Sequence, residues 1–146
     1  MEFRKQDYLI STDKTKLDVH VIHNFLKETY WAKNIPLKVV EKSIRNSVCF
    51  GVYYQNNQIG FARVVTDYST CAYIADVFIL KDFRGQGLAK WLMEVIMNYP
   101  ELQNLKRWML GTKDAHGLYS QFGFTAPKHP GWLMENTDLD IYSKNK

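Results

Sequence analysis

Asp76-Val77-Phe78-Ile79-Leu80-Lys81-Asp82-Phe83-Arg84-Gly85-Gln86-Gly87-Leu88-Ala89 passes from one apolar pattern, through a pair of glycines, into a second apolar pattern of different period. Upstream, residues 72–80 are apolar on both alternating faces apart from Asp76, which suits a central strand covered above and below. Downstream, Leu88, Trp91, Leu92, Val95, Ile96 and Tyr99 recur at the spacing of one buried helical stripe, and Lys90, Glu94 and Asn98 fall on the opposite side. The glycines therefore join a strand to a helix. The first amides of a helix have no intrahelical acceptor and carry the positive end of its dipole behind them. Residues 84–90 are thus expected to form a cradle for a phosphate.

Two familiar phosphate binders do not fit these residues. A P-loop needs a lysine followed by a hydroxyl residue to place magnesium, but Lys90 follows Ala89 and precedes Trp91. A dinucleotide fingerprint needs a third small residue where Lys90 stands and an acidic residue about 20 positions on. Gln103, Asn104, Lys106 and Arg107 occupy that region instead.

The 146 residues suit one domain spanning the whole chain, and a hydrophobic share of 46%, with 14% aromatic, fits a packed core. The formal charge of +4 comes from 19 scattered Lys and Arg, so no nucleic-acid footprint is expected. No window approaches a membrane span and Met1-Glu2-Phe3-Arg4-Lys5 lacks a secretory apolar run, which gives an expectation of no membrane partner and a cytoplasmic location. Cys49 and Cys71 each lie in an apolar, strand-like run and read as small hydrophobes. His20 and His23 share a helix face with no Cys or acidic pair to complete a metal site, so no metal is expected.

Along the chain, Tyr8–Ser11 is expected to form a first strand, Leu17, Val21, Phe25 and Leu26 mark one helix, and Leu37, Val40 and Ile44 mark a second with Pro36 in its opening turn. Residues 48–54 and 59–66 read as an antiparallel hairpin joined by Gln55-Asn56-Asn57-Gln58, with a third antiparallel run beginning near Cys71. After the glycine-turn helix come a strand over 105–110, a short helix capped by Asp114 and stopped by Gly123, and a final strand region from Phe124 onward. This order is mixed α/β.

Two motifs in this order resemble the GNAT superfamily of N-acetyltransferases over nearly the whole chain. The first is Arg/Gln-x-x-Gly-x-Gly/Ala, met by Arg84, Gly87 and Ala89; the second is Ala-x-x-Leu-Tyr-x-x-x-Gly-Phe, met by Ala115, Leu118, Tyr119, Gly123 and Phe124. The resemblance implies a GNAT fold, with a mixed, mostly antiparallel central sheet flanked by helices on both faces. It implies acetyl-coenzyme A (acetyl-CoA) as cosubstrate, its pyrophosphate held by the main chain of Arg84, Gly85, Gln86, Gly87, Leu88, Ala89 and Lys90. The central strand would splay from the next one, and main-chain groups of Phe78 and Ile79 would pair with the pantetheine arm in the gap. Lys81 stands where the family often has proline, and Thr112 where many members carry an asparagine that bonds the cofactor arm.

Acetyl transfer needs a neutral amine, a route for its surplus proton and a donor for the departing thiolate. Tyr119 matches the family's general acid. Asp76 is open to two readings: a base or anchor for the acceptor ammonium, or one half of a buried ion pair. His116, beside Ala115, is a further proton-relay candidate. Tyr30 and Trp31, in the loop between the first two helices, are expected to grip an amine by stacking or cation–π contact, with Pro127, Pro130 and Trp132 completing the wall. The expected acceptor is a small-molecule amine attacking directly in a ternary complex. A peptide amine, a non-catalytic acyl-CoA sensor and a nucleotide-binding module stay open as alternatives. A homodimer also stays open, because exposed apolar patches cannot be told from core stripes in a sequence.

Overall fold

The computed structural model describes residues 1–144. Six strands form one sheet in chain order: β1 (Glu2–Lys5), β2 (Tyr8–Ser11), β3 (Val48–Tyr54), β4 (Asn57–Thr66), β5 (Cys71–Ile79) and β6 (Arg107–Leu110). All neighbours are antiparallel except β5 and β6, which run parallel. Helices α1 (Val19–Leu26) and α2 (Leu37–Arg45) lie between β2 and β3 in sequence, α3 (Leu88–Met97) between β5 and β6, and α4 (His116–Ser120) follows β6.

Side-chain alternation divides the strands between two cores. Phe50, Val52, Ala62, Val64 and Ile74 pack with Trp91, Leu92 and Ile96 of α3 on one face, whereas Cys49, Phe61 and Phe78 pack with Ile22, Leu26, Val40 and Ile44 of α1 and α2 on the other. Helices therefore cover both faces, as expected. The whole predicted α3 stripe is buried, and Met93 is buried with it.

Several expectations need correction. The first strand is β1, not the stretch at Tyr8: Glu2-Phe3-Arg4-Lys5 is a mostly exposed edge strand, and its polar residues concealed it. The hairpin turn is only Gln55-Asn56, both left-handed (φ 49° and 68°), so β4 already begins at Asn57. Pro36 caps α2 rather than entering its first turn. Asp114 does not cap α4; Ala115 holds that position, and the Thr112 hydroxyl accepts from its amide at 3.0 Å. Cys49 is buried but Cys71 is exposed. No strand forms from Phe124 onward among the described residues. Pro127 and Pro130 lack the amide that a ladder needs, and Pro130–Trp132 coils into a short 3-10 turn.

Candidate active site

The gap between β5 and β6 begins with a counting error in the sheet. Ala75 pairs with Arg63, but Phe78 pairs with Phe61, so β5 has one more residue than β4 across this interval. The extra residue is a bulge, and Asp76 within it is left-handed at φ 57°. A bulge bends its strand and increases its twist. Pairing of β5 with β6 stops at Ile74 and Leu110, immediately before the bulge. Among the described residues, 75–79 then have no strand beside them on that side, which is the splay that the family resemblance implies. The bulge also reverses alternation: Ile74 faces the α3 core, yet Phe78, four residues on, faces the α1 and α2 core.

Asp76 is held on both carboxylate oxygens. Arg63 Nε donates to Oδ2 at 2.8 Å and Trp31 Nε1 donates to Oδ1 at 3.0 Å. Arg63 also donates to Ser47 Oγ at 3.2 Å. The pair is mostly buried, with side-chain exposures of 19% for Arg63 and 9% for Asp76. The ion-pair reading of Asp76 is therefore realised, and the same carboxylate fixes the indole of Trp31. Aspartate is also among the few L-residues that tolerate left-handed backbone, because its short side chain bonds locally.

At the C-terminal end of β5 the chain turns through Lys81–Phe83 into the glycine pair. Gly85 and Gly87 sit at φ 82° and 77°, and a methyl group added to either would meet nothing within 4 Å. Their small size therefore serves backbone conformation and outside access rather than internal packing. The first main-chain bond of α3 runs from Trp91 N to Gly87 O at 3.0 Å, and the amides of residues 85–90 have no acceptor among the described residues. Arg84 turns inward, donating from Nε to Ile79 O at 2.8 Å, which ties the turn to the end of β5. Gln86 accepts from Tyr8 Oη at 2.8 Å.

A cleft of about 710 Å³ occupies the splay. Asp76, Phe78, Ile79, Arg84, Ala89, Thr112, Tyr119, Tyr30 and Trp31 all line it, so one cavity unites candidates from five separated stretches. Gly85, Gln86, Gly87, Leu88 and Lys90 stand outside the lining, and His116 is an exposed helix residue that does not line it either. Burial pushes the Tyr119 phenol up to about 12, with smaller contributions from Tyr30 and Asp114. The side chain thus keeps its proton at neutral pH. Tyr119 is pinned by an edge contact with Phe124 and by the amide of Phe124 donating to its carbonyl at 3.4 Å.

Tyr30 and Trp31 meet edge to face with centroids 5.1 Å apart. Tyr30 Oη accepts from Lys113 N at 2.9 Å, and Lys113 Nζ lies 5.5 Å from the ring centroid. These contacts join the loop after α1 to the loop after β6, across the cleft. Thr112 Oγ1 is engaged by Ala115 N, so its oxygen holds the start of α4. Of the two helix histidines, His23 pairs through Nε2 with Ile35 O at 2.9 Å. Among the described residues no group of three or more His, Cys, Asp or Glu side chains could hold a metal ion.

Sequence reasoning missed Arg63, Phe25, Tyr73 and Lys113. Arg63 carried a signal, being a lone cation in an apolar strand next to the strand holding the lone anion. Phe25 stacks on Phe78 with centroids 4.0 Å apart and walls the cleft, although its spacing marked it as a core residue. Nothing local distinguishes Tyr73 or Lys113.

The Acetyltransferase (GNAT) family model matches residues 19–124. The chain belongs to the GNAT acetyltransferase family. FG08082 of Gibberella zeae, provisionally named an acetyltransferase, is 30% identical over 139 residues, covering 79% of this chain and 77% of that one. A GNAT-family protein of Xanthomonas campestris pv. campestris, known from its crystal structure, superposes with a TM-score of 0.91 at 47% identity, covering 93% of this chain and 96% of its own. A GNAT family acetyltransferase from Elizabethkingia anophelis, crystallised with acetyl-CoA bound, shares the fold with a TM-score of 0.65 at 16% identity, over 85% of this chain and 80% of that chain. In this GNAT protein the matched segment contains both halves of the splay, the glycine turn and Tyr119. No described helix is long and apolar enough to cross a membrane.

Proposed function

We propose that this chain transfers the acetyl group of acetyl-CoA to the amine of a small metabolite, by direct attack in a ternary complex. The observation that carries the reading is one cleft that joins a main-chain edge over 75–79, unpaired among the described residues, to a buried, protonated Tyr119 and that reaches, at Arg84 and Ala89, the glycine turn whose amides at 85–90 have no acceptor among the described residues. The residues fit the cosubstrate. The amides and the helix dipole suit a pyrophosphate, Gly85 and Gly87 leave the main chain open to close approach, and the edge at Phe78 and Ile79 suits an amide-bearing arm.

Bound acetyl-CoA supplies a thioester whose acyl carbon accepts the amine. The chain supplies orientation and proton handling. An amide of the β5 edge, at Phe78 or Ile79, polarises the acyl oxygen. Tyr119 Oη holds the proton for the departing sulfur, and burial keeps it available. Asp76, neutralised by Arg63, fixes the indole of Trp31 on the cleft wall, where the Tyr30 and Trp31 rings face an acceptor ammonium. Thr112 stands at the cofactor-arm position and acts through the loop that it holds. The site's enclosure by the Tyr30–Lys113 contact favours a small acceptor.

The test pairs binding with turnover. Ligand at about 100 times its dissociation constant adds about 2.7 kcal/mol, so acetyl-CoA should raise Tm by roughly 5–10 °C while ATP and NAD leave it unchanged. Thiol release across small amines, amino acids, polyamines and peptides then identifies the acceptor. Tyr119→Phe should lower kcat by about 10²–10⁴ with the acetyl-CoA shift retained. Binding without thiol release for any amine would favour a sensor, and stabilisation by ATP alone would remove the cosubstrate assignment.

A further inference from the structure

Between Phe83 and Leu88 the glycine turn has no packing of its own. Residues 84–87 are exposed, and a methyl group added at Gly85 or Gly87 would touch nothing within 4 Å. Glycine has more conformational freedom to lose than any other residue, so amides carried on such a turn sample many directions unless something outside fixes them. Amides that are already aimed bind an anion at a smaller ordering cost.

One fixed point is the bond from Arg84 Nε to Ile79 O. The other comes from a strand distant in sequence. Tyr8, the first residue of β2, donates from Oη to Gln86 Oε1 at 2.8 Å. Gln86 Nε2 donates to Phe83 O at 3.5 Å, so both ends of this side chain are occupied by protein while its main-chain amide has no acceptor among the described residues. Tyr8 itself is well held. It stands opposite Tyr54 in the β2–β3 ladder with ring centroids 5.1 Å apart, and Tyr54 in turn meets Phe83 at 5.6 Å. All three rings pack against the α3 core. A run of aromatic contacts therefore leads from β2 through β3 to the start of the turn, and the Tyr8–Gln86 bond closes it into a ring around the turn's first residues.

We propose that Tyr8 is a positioning residue for the diphosphate of the cosubstrate: by holding Gln86 it fixes the peptide units on either side, so that the amides of residues 85–88 are aimed before the ligand arrives. This rests on the reading of residues 85–90 as a diphosphate cradle, and adds to it a residue that does not line the cleft.

Titration calorimetry of the full chain with acetyl-CoA tests the proposal, with 15N relaxation of the ligand-free chain as the local readout. Tyr8→Phe keeps the ring and removes the hydroxyl. It should raise Kd for acetyl-CoA by about threefold to tenfold, the range that one net hydrogen bond supplies, and raise KM for acetyl-CoA more than it lowers kcat. Order parameters at residues 85–88 should fall toward those of flexible backbone. Gln86→Met deletes the same bond at an exposed side chain, so it serves if Tyr8→Phe fails to fold. The two together should weaken binding no more than either alone, because they remove one shared interaction. Additive losses, or weaker binding with unchanged order parameters, overturn the proposal. Acetyl-CoA binding that ignores both substitutions overturns this inference alone, whereas failure of the unaltered chain to bind acetyl-CoA removes the cosubstrate reading and this inference with it.

Discussion

Asp76 carries two loads that substitution can separate: charge compensation of Arg63 and a left-handed backbone. Replacement by Asn keeps a residue that accepts positive φ and an oxygen for Trp31 Nε1, but removes the charge. Removing one partner of a buried pair costs about 3–5 kcal/mol, and because Arg63 keeps 19% side-chain exposure and its bond to Ser47, the lower end applies, about 3 kcal/mol. Asp76→Ala adds the left-handed penalty of about 1–2 kcal/mol, giving about 4–5 kcal/mol. For a chain of this length 1 kcal/mol corresponds to roughly 3–4 °C in Tm, so Asn should lower Tm by about 10 °C and Ala by about 15 °C in thermal unfolding followed by circular dichroism. Adding Arg63→Met to Asp76→Asn removes the stranded cation and should recover most of the loss. Equal destabilisation by Asn and Ala would show that the bulge conformation carries no strain. An unrecovered double variant would show that the ion pair is not the source of the effect.

Four further outcomes follow from three named groups. Tyr119 is raised to about 12 in the fold and titrates near 10 when unfolded, so above pH 10 the unfolded chain binds fewer protons and stability falls with pH; urea titrations should show a smaller loss between pH 10 and 12 in Tyr119→Phe, by about 2 kcal/mol. For the same reason kcat should show no descending limb from Tyr119 below about pH 10; a limb at lower pH that vanishes in Tyr119→Phe contradicts the assignment. Gly87→Ala meets no atom but must hold φ 77°, so it should lower Tm by roughly 3–6 °C and raise KM for acetyl-CoA more than it lowers kcat in a thiol-release assay. Tyr53 has a buried hydroxyl without a partner among the described residues, so Tyr53→Phe should stabilise the protein by about 1–2 kcal/mol in equilibrium unfolding; a loss of stability would mean that the hydroxyl is satisfied.

The elements that were legible had a one-dimensional signature. The α3 stripe, the alternating and β-branched runs of β3, β4 and β5, and the glycine turn all announce themselves within a dozen residues, and the structure reproduces each of them. The missed elements depend on partners distant in sequence. β1 is a short polar edge strand that exists because β2 holds it. Arg63 becomes meaningful only when register puts it beside the bulge. The strand expected after Phe124 failed for a different reason: the expected order of elements ran past the local chemistry of Pro127 and Pro130. Within the site, the residues joined by the cleft were found because their motifs are local, whereas the Tyr30–Lys113 and Trp31–Asp76 contacts required two loops to meet in space.

A single surplus residue in one strand has an unusually large yield here. Deleting Asp76 would bring β5 back into step with β4, leave Phe78 opposite Phe61 on its present face and let the parallel ladder run past Leu110 toward Gly111. The cavity would zip shut. Whether this architecture has an opening at all therefore depends on insertion or deletion at one peptide unit.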